Sequence, residues 1–259
     1  MTEIRWHKLR RDQIADAAAH DAVLLLPIGS VEQHGPHLPI DTDTNAATAV
    51  AERAAARATE PPALVLPPIW WGLSPYWLPF PGTLSLRPET ILALISDLGA
   101  SVARHGFRRM IVLNGHGGNA GIVGVAATAL ADHGIRAAGL TYWDLLPAEV
   151  REWSAHDAGS IGHAGEVETS IQLYLQPDLV APTLPEPTLC ADVAAMTRAP
   201  FAGAAYAPPD PAREAPHGIY GYAPGGRREL GEQVIEMAAE RLAAYIRHFA
   251  ATDTEPTTA

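Results

Sequence analysis

The run Val23-Leu-Leu-Leu-Pro-Ile28 decides the fold class of this chain. An unbroken apolar run of this length, ended by Gly29, predicts a strand buried on both faces, as strands of parallel sheets are. Further apolar segments predict strands at 63–66, 110–113 and 137–141. Helix-forming residues predict helices at 44–58, 88–105, 120–133, 165–175 and 229–249. Strands that alternate with helices indicate an α/β fold with a mostly parallel sheet covered on both faces.

The length and composition are those of a globular chain. With 259 residues, of which 47% are hydrophobic and 18% charged, the chain can bury a full core. It has no internal repeat and no clear linker, so we predict a single domain over residues 1–259. The stretch 179–227 is dense in Pro, Gly and Ala and predicts an extended covering segment, and 250–259 predicts a frayed tail.

Charge and cysteine content exclude several classes of protein. The formal net charge of −11 argues against a nucleic-acid partner, because phosphate binding needs a basic face. The single cysteine, Cys190, cannot form an internal disulfide, which is typical of cytosolic proteins, and we assign it and Trp153 to packing. No apolar run approaches membrane-spanning length, and the first residues lack an apolar signal core. We therefore expect a soluble, cytoplasmic protein with no membrane partner.

Acidic residues and histidines crowd the segment that follows the first predicted strand. Residues 29–43 read GSVEQHGPHLPIDTD and contain Glu32, His34, His37 and Asp43. So many polar groups beside a buried strand would cost roughly several kcal/mol in desolvation if nothing compensated them. A divalent cation compensates them, and mixed imidazole and carboxylate ligands suit zinc, manganese or iron. The alternative is a polar surface loop that happens to carry these residue types.

A second motif, NGHGGN at 114–119, follows the strand predicted at 110–113. Glycine-rich turns between a strand and a helix can bind a phosphate at the helix N-terminus. This turn contains no Lys or Arg and lacks the G-x-G-x-x-G spacing, so a nucleotide site is the weaker interpretation. His116, fixed between glycines at a strand end, is better interpreted as a metal ligand. Ligands of open parallel sheets bind beyond the carboxyl ends of the strands, where this turn and segment 29–43 should meet.

A third motif, HAGEVETS at 163–170, lies at the start of the helix predicted at 165–175. Glu166 and Glu168 are two positions apart, so they cannot share a helix face. One carboxylate can therefore enter the metal site while the other orients a neighbour or caps the helix. A solvated helix start is the alternative interpretation, and the first two motifs favour a role in the site.

Taken together, PIGSVEQHGPHLPIDTD, FPGTLSL, NGHGGN and HAGEVETS resemble the creatininase family over about residues 20–180. The resemblance implies a three-layer α/β/α fold, a metal centre of one or two ions, and hydrolysis of a C–N bond in an amide or cyclic amide. It also implies a homo-oligomer, often a hexamer. By position it implies that Glu32, His34, Asp43 and His116 are metal ligands, with Asp43 bridging two ions.

The chain departs from the members that hydrolyse creatinine at one proposed ligand. Those enzymes have Tyr-Glu where this chain has Gly117-Gly118, and that Glu is a ligand of the second metal. We expect Glu166 to complete the second site here. The Gly-Gly and HAGExETS form resembles a broader subgroup that includes formamide deformylases and the peptidase of mycofactocin maturation. In favour of creatinine, the segment 141–144 (TYWD) resembles the one that places a substrate-stacking Trp in creatininase, which would be Trp143.

The chemistry that follows from the resemblance is metal-assisted hydrolysis. A metal lowers the pKa of a bound water from 15.7 to about 7, and a second ion would polarise the carbonyl group. His163 is the candidate proton donor for the leaving nitrogen, and Glu166 is assigned a catalytic role with it. His37 contacts the substrate, orients a ligand, or is merely packed in its loop.

The segment 70–83 (WWGLSPYWLPFPGT) is predicted to wall the substrate pocket, because large aromatics beside a polar site suit a flat or apolar ligand. Its candidate substrate-binding residues are Ser74, Tyr76 and Trp77. Packing at a subunit interface is an equally open interpretation.

Three functions remain open at this point. The first is an amidohydrolase that acts on a small cyclic amide or a formamide, with creatinine itself as one case. The second is a peptidase that trims a short modified peptide. The third is a catalytically silent metal-binding or assembly protein, which is disfavoured because the ligand set, His163 and Glu166 are all present.

Overall fold

The computed structural model describes residues 3–147, 162–185, 215 and 217–252. Its strands are β1 (Val23–Ile28), β2 (Ala63–Val65), β3 (Arg109–Asn114) and β4 (Arg136–Thr141). Its α-helices are α1 (Arg11–Ala19), α2 (Thr42–Arg57), α3 (Pro88–Arg104), α4 (Ala120–Leu130), α5 (Glu166–Leu175) and α6 (Arg228–Ala251). The packing assigned to Trp153 and Cys190, most of the covering segment and the end of the tail lie outside the described residues.

The four strands form one parallel sheet in the order β2-β1-β3-β4. The chain runs outward from β1 to β2 on one side and then returns to build β3 and β4 on the other side. In β1 every residue is buried, as the unbroken apolar run predicts. In open parallel sheets the ligand crevice lies where the strand order reverses, which is here between the carboxyl ends of β1 and β3.

Helices cover both faces of the sheet and form two hydrophobic clusters. Val23 and Leu25 of β1 belong to the cluster that contains α2, α5 and α6. Leu24 and Leu26 belong to the cluster on the opposite face, with α1, α3 and α4. Alternate residues of one strand therefore pack into opposite layers, and the predicted three-layer α/β/α architecture is confirmed.

The elements predicted from the sequence agree with the structure apart from two differences. The helix predicted at 120–133 ends its α-helical part at Leu130 and continues as a 3₁₀ turn, Ala131–His133. Helix α1 was outside the predicted set, and Ala17 is its single fully buried residue, so its sequence carries no clear apolar stripe. No helix of the described residues is long and apolar enough to cross a membrane.

The first turn of α2 packs directly onto the ends of the central strands. A Cβ atom at Gly29, just after β1, would collide with the backbone of Thr44. A Cβ atom at Gly115, just after β3, would collide with the carbonyl oxygen of Asp43. Glycine at these two positions permits the close approach and sets Asp43 into the crevice between the strands.

Candidate metal centre

The acidic residues and histidines of the first two motifs meet at this crevice. Glu32, His34, Asp43 and His116 have between 0% and 4% of their surface exposed. Three sets of potential ligand atoms each lie within 4.8 Å of one another. Two of them share Asp43, one with Glu32 and His116 and the other with His34 and Glu168. The third set is Glu32, His34 and His163.

Asp43 stands between the two histidines. Its Oδ1 lies 3.1 Å from His34 Nε2, and its Oδ2 lies 3.0 Å from His116 Nδ1. Because each oxygen faces a different imidazole, this carboxylate can join two ions in the way that the sequence resemblance implies.

Backbone carbonyl groups determine which ring nitrogens of the two histidines carry hydrogen. His34 Nδ1 lies 3.1 Å from the carbonyl oxygen of Glu32, and His116 Nε2 lies 3.1 Å from the carbonyl oxygen of Leu73. A carbonyl oxygen only accepts, so these nitrogens donate their hydrogens. In the neutral rings, His34 Nε2 and His116 Nδ1 therefore face the carboxylates with lone pairs, as metal ligands do.

Several buried oxygens test whether a metal fits this site. Both carboxylate oxygens of Glu32 and Oδ2 of Asp43 are buried and have no hydrogen-bond partner among the described residues. Glu32 Oε1 lies 3.3 Å from His116 Nδ1 and 3.4 Å from His163 Nδ1. Buried anionic oxygens that face bare nitrogens are costly without a cation between them. The donor set therefore fits a divalent metal of the zinc or manganese type.

The pKa values of the metal-free protein show the same excess of negative charge. Burial lowers the pKa of His34, but Asp43, Glu168 and Glu32 outweigh it and raise the pKa to about 10. Burial also lowers the pKa of His116, but Glu32 and Asp43 outweigh it and raise this pKa well above 6.5. Without metal, both imidazoles hold an additional proton in place of the cation.

Glu168 is the carboxylate of the third motif that reaches the centre. Its Oε2 lies 3.7 Å from His34 Nε2 and accepts a hydrogen bond from the N–H of Ala164 at 2.5 Å. Ala164 has a positive φ of 55°, which directs this N–H at the carboxylate. Burial and the charge of Asp43 raise the pKa of Glu168 to about 7, against the effect of His34.

Glu166 lies elsewhere, and this placement corrects the prediction that it enters the metal centre. Its side chain is fully buried, and its Oε1 accepts a hydrogen bond from Arg227 Nη1 at 2.8 Å. Ser170 Oγ accepts from the N–H of Arg227 at 3.0 Å and donates to the carbonyl of Glu166. Glu166 therefore fastens the start of α6 to α5, and its carboxylate is neutralised by a guanidinium instead of a metal.

His163 lies between two aromatic rings at the edge of the centre. Its ring centroid is 4.3 Å from that of His34 and 4.2 Å from that of Trp77, and the second pair is stacked. Its Nδ1 faces Glu32 Oε1, and its Nε2 lies 2.8 Å from the carbonyl oxygen of Gln33. Burial and the neighbouring charge of His34 lower the pKa of His163 well below 6.5.

Comparison with known proteins places this arrangement in one family. The chain matches the family described as "Creatininase: Creatinine amidohydrolase" over residues 7–246. It is 34% identical over 264 residues to the creatinine amidohydrolase of Pseudomonas putida, and the match covers 95% of both chains. The chain belongs to the creatininase family.

A second relative and several solved structures match as well. The mycofactocin precursor peptide peptidase of Mycobacterium ulcerans is 40% identical over 164 residues, 61% of this chain and 60% of that protein. A mutant creatininase complexed with creatine matches with a TM-score of 0.79 and 30% identity, over 98% of this chain and 100% of that one. A mutant creatininase described as Zn-Zn type matches with a TM-score of 0.78 and 32% identity, over 96% of this chain and 98% of that one. A structure described as "Creatininase Mn" matches with the same TM-score and identity, over 95% of this chain and 98% of that one.

The aromatic segment is divided between the centre and the surface. Ser74 is fully buried, with its Oγ 2.6 Å from Ser30 Oγ and 3.1 Å from His116 Nε2, so it supports His116. Trp77 is 2% exposed and stacks on His163. Substrate contact by these two residues stays a prediction. Trp70 and Trp71, by contrast, are 43% and 45% exposed.

The remaining substrate-binding candidates occupy three different environments. Tyr76 is half-buried, and its hydroxyl oxygen lies 3.2 Å from His116 Nε2, so its role at the pocket wall stays a prediction. Trp143 packs against Tyr142 and the cluster below the sheet, and contact with a substrate likewise stays a prediction. His37 is 2% exposed, and its Nε2 lies 3.0 Å from Thr169 Oγ1, so it joins its loop to α5, while its contact with a substrate stays a prediction.

Two asparagines of the NGHGGN motif have structural roles that the sequence pattern did not indicate. Asn114 Oδ1 accepts from the N–H of His116 at 2.9 Å and fixes the turn that carries this residue. Asn119 Nδ2 donates to the carbonyl of Gly29, and its Oδ1 accepts from the N–H of Leu73. Strand ends and the aromatic segment are thereby held together around the centre.

Tyr142 is a further residue near the centre that sequence reasoning missed. It is 3% exposed, and burial together with the charges of Glu168 and Asp43 raises its pKa well above 10. Its position directly after β4 is a signal that could have identified it, because the carboxyl ends of the strands surround the site.

Proposed function

We propose that this chain is a metal-dependent amidohydrolase that cleaves a C–N bond in a small amide, cyclic amide or formamide. The observation that carries the proposal is the set of buried carboxylate oxygens of Glu32 and Asp43 that lack hydrogen-bond partners among the described residues. These oxygens face imidazole nitrogens whose hydrogens point away from them. Such an arrangement needs positive charge between the oxygens and the nitrogens, which a divalent cation supplies.

The donor set provides for two ions, and zinc or manganese suits both positions. Glu32, Asp43 and His116 would hold one ion, and His34, Asp43 and Glu168 would hold the other. A bound divalent metal supplies a lowered pKa for a water molecule and polarises a carbonyl group.

Residues around the proposed ligands handle protons and exclude solvent. His163 directs Nδ1 toward the centre with its hydrogen held on Nε2 by the Gln33 carbonyl, so Nδ1 can take a proton from the attacking water and then give it to the leaving nitrogen of the cleaved amide. Trp77 covers the outer face of this ring and keeps water from approaching it on that side. Leaving-group protonation is needed because an amide nitrogen without a proton is a poor leaving group.

Position 118 distinguishes this chain from enzymes that open creatinine. A Cβ atom at Gly118 would collide with the carbonyl oxygen of Leu73 and would lie 2.6 Å from the hydroxyl of Tyr76. A glutamate at this position therefore has no room, and we propose that Glu168 replaces it as a ligand. This substitution favours a small amide or formamide other than creatinine as the substrate.

The second candidate is a peptidase that trims a short modified peptide. It is favoured by the 40% identity to the mycofactocin precursor peptide peptidase of Mycobacterium ulcerans over 164 residues. Both candidates use the same centre, so the substrate separates them.

A hydrolysis panel with defined metal content tests the proposal. The panel contains creatinine, a hydantoin, a lactam, formamides and short peptides, and is run on protein whose metal has been quantified. We expect one to two equivalents of zinc, manganese or iron per chain, loss of turnover on chelation and recovery on adding metal back. Undiminished turnover after exhaustive demetallation contradicts the proposal, and turnover of peptides alone favours the second candidate.

We also propose that the chain acts as a homo-oligomer, as the sequence resemblance implies. Large apolar side chains are exposed around the aromatic segment, among them Trp70, Trp71, Leu78 and Leu84. Exposed groups of this kind are typical of protein interfaces. Light scattering should show a particle larger than the 27.5 kDa chain, and a stable monomer at micromolar concentration contradicts this.

A further inference from the structure

Gln33 lies between two proposed metal ligands in the sequence, but its side chain faces away from the metal centre. The residue is 6% exposed, and its amide is held on both sides. Oε1 accepts from the N–H of Gly35 at 2.9 Å, and Nε2 donates to the carbonyl of Gly218 at 3.0 Å. The backbone N–H donates to Thr83 Oγ1 at 3.1 Å. Its own loop and two distant segments, at Thr83 and Gly218, therefore fix the position of this residue.

These contacts also fix which atoms Gln33 presents to His163. Because Oε1 faces a donor and Nε2 faces an acceptor, the amide has one orientation. His163 Nε2 then lies 2.8 Å from the Gln33 carbonyl oxygen and 2.9 Å from Gln33 Nε2. One residue thus offers this ring nitrogen both an acceptor and a donor.

The outward nitrogen of His34 is held differently. His34 Nδ1 faces the carbonyl oxygen of Glu32, an acceptor, so the hydrogen stays on that nitrogen. His34 Nδ1 therefore has this one partner, whereas His163 Nε2 has two partners on Gln33.

We infer that Gln33 is the positioning residue of His163, an inference that rests on the proposed function. Its backbone carbonyl oxygen and its side-chain amide nitrogen, 2.8 and 2.9 Å away, hold His163 Nε2 in place. Nδ1, which lies 3.4 Å from Glu32 Oε1, is thereby directed at the centre. Gln33 acts through His163 and does not touch the reacting atoms.

The segment at 218–220 supports the same pair of residues. Gly218 has a φ of +73°, and a Cβ atom there would collide with the amide oxygen of Gln33. Two residues later, the N–H of Tyr220 donates to the carbonyl oxygen of His163 at 2.8 Å. Gln33 and His163 are therefore held by one short stretch of chain, and loss of the Gln33 amide should loosen both.

The substitution Gln33→Met tests the inference, because it keeps the length of the side chain and removes the amide that contacts His163, Gly218 and Gly35, while the backbone carbonyl stays. We expect kcat on the fastest panel substrate to fall about 10–100-fold, the usual effect of losing an outer-sphere partner. KM should stay at the wild-type value, and kcat is expressed per bound zinc, because His163 also belongs to a possible ligand set with Glu32 and His34. Gln33→Glu, with the same shape but no amide donor, should also lower kcat if Gln33→Met does not fold.

Gln172→Met is the matched control. Gln172 is also fully buried, and it bonds to Asn45 and to the carbonyl of Thr42, away from His163. Its substitution should lower the melting temperature as much as Gln33→Met does without a comparable fall in kcat. An equal fall in kcat in this control overturns the inference, because the effect would then be general loosening.

A crystal structure of zinc-loaded Gln33→Met needs no substrate. We expect the His163 ring to be turned or poorly ordered while His34 and His116 keep their positions. A ring in the wild-type position, or a wild-type kcat, overturns the inference. If wild-type protein hydrolyses none of the panel, the proposed function fails, and the position of the ring still decides the role of Gln33.

Discussion

The two sides of the metal centre are built in different ways. On one side, the segment after β1 brings Glu32, His34 and Asp43 together within twelve residues, with His116 added from the neighbouring strand end. On the other side, α5 carries Glu166 and Glu168, two identical side chains with opposite environments. Glu168 faces His34, and Glu166 faces Arg227.

The difference shows what decides the role of a carboxylate. On the β1 side, neighbouring residues in the sequence supply the ligands, and the glycines after the strands set the close approach. On the α5 side, the partner of Glu166 is 61 residues away in the chain and has no spacing that reveals it. Ionic partners from a distant segment, and not the motif itself, determine which glutamate is available for a metal.

Asp43→Asn is expected to have the largest effect, because Asp43 belongs to both ligand sets. An amide brings no negative charge to either ion, so we expect metal content to fall toward zero and kcat to fall on the order of 10³-fold or more. Metal analysis and turnover on the panel measure this. Asp41→Asn, two residues earlier and bonded to Gln176, is the control and should keep its metal. Full metal content in Asp43→Asn would show that Asp43 does not bridge two ions.

Glu168→Gln should have the next largest effect and lose about one of two ions. The loss of one ligand charge should lower kcat by roughly 10²-fold, as is common for preorganised charges in active sites. Glu166→Gln should retain both ions, because its carboxylate is paired with Arg227. A result with the two variants reversed restores the assignment made from the sequence.

Each side of the centre has one group whose raised pKa makes the stability of the metal-free protein depend on pH. Burial raises the pKa of Glu168 from 4.5 to about 7, so its contribution to stability is present below pH 4.5 and is lost as pH rises through 7. The pKa of His34 is raised from 6.5 to about 10 by Asp43, Glu168 and Glu32 despite burial, so its contribution is full below pH 6.5 and lost through 10.

Below pH 6.5 the lowered pKa values of His163 and His37 act in the opposite direction, because both rings are neutral in the folded protein. The melting temperature of metal-free protein should therefore fall from pH 7 to pH 9, whereas that of zinc-loaded protein should fall less because the cation replaces the protons. Thermal unfolding with and without zinc measures the difference. Metal-free protein that becomes more stable across this range is incompatible with the charges described.

Ser74→Ala should have the smallest effect, because Ser74 supports a proposed ligand from behind. Loss of its hydroxyl near His116 Nε2 should weaken zinc binding by about 10-fold, the lower end for such partners. Ser96→Ala is the control, since Ser96 makes an equivalent contact to His133 on the far side of the sheet. Equal zinc affinity in both variants would show that Ser74 has no role in the centre.

The success of sequence prediction follows the same division. The unbroken apolar run of β1 predicts a buried parallel strand, and the polar residues that follow it must therefore lie at the carboxyl end of the sheet. Helix α1 was missed because Ala17 is its one fully buried residue. The contacts of Ser74 with His116 and of Trp77 with His163 could not be predicted, because a sequence shows residue types near a site but not which side of a histidine they occupy.

Anomalous diffraction from zinc-loaded crystals tests the central claim most directly. We expect two zinc peaks per chain that share Asp43, each at about 2.0–2.2 Å from its ligands. One should be bound by Glu32 and His116, and the other by His34 and Glu168. A peak bound by Glu166, or no peak between His34 and His116, would contradict the account.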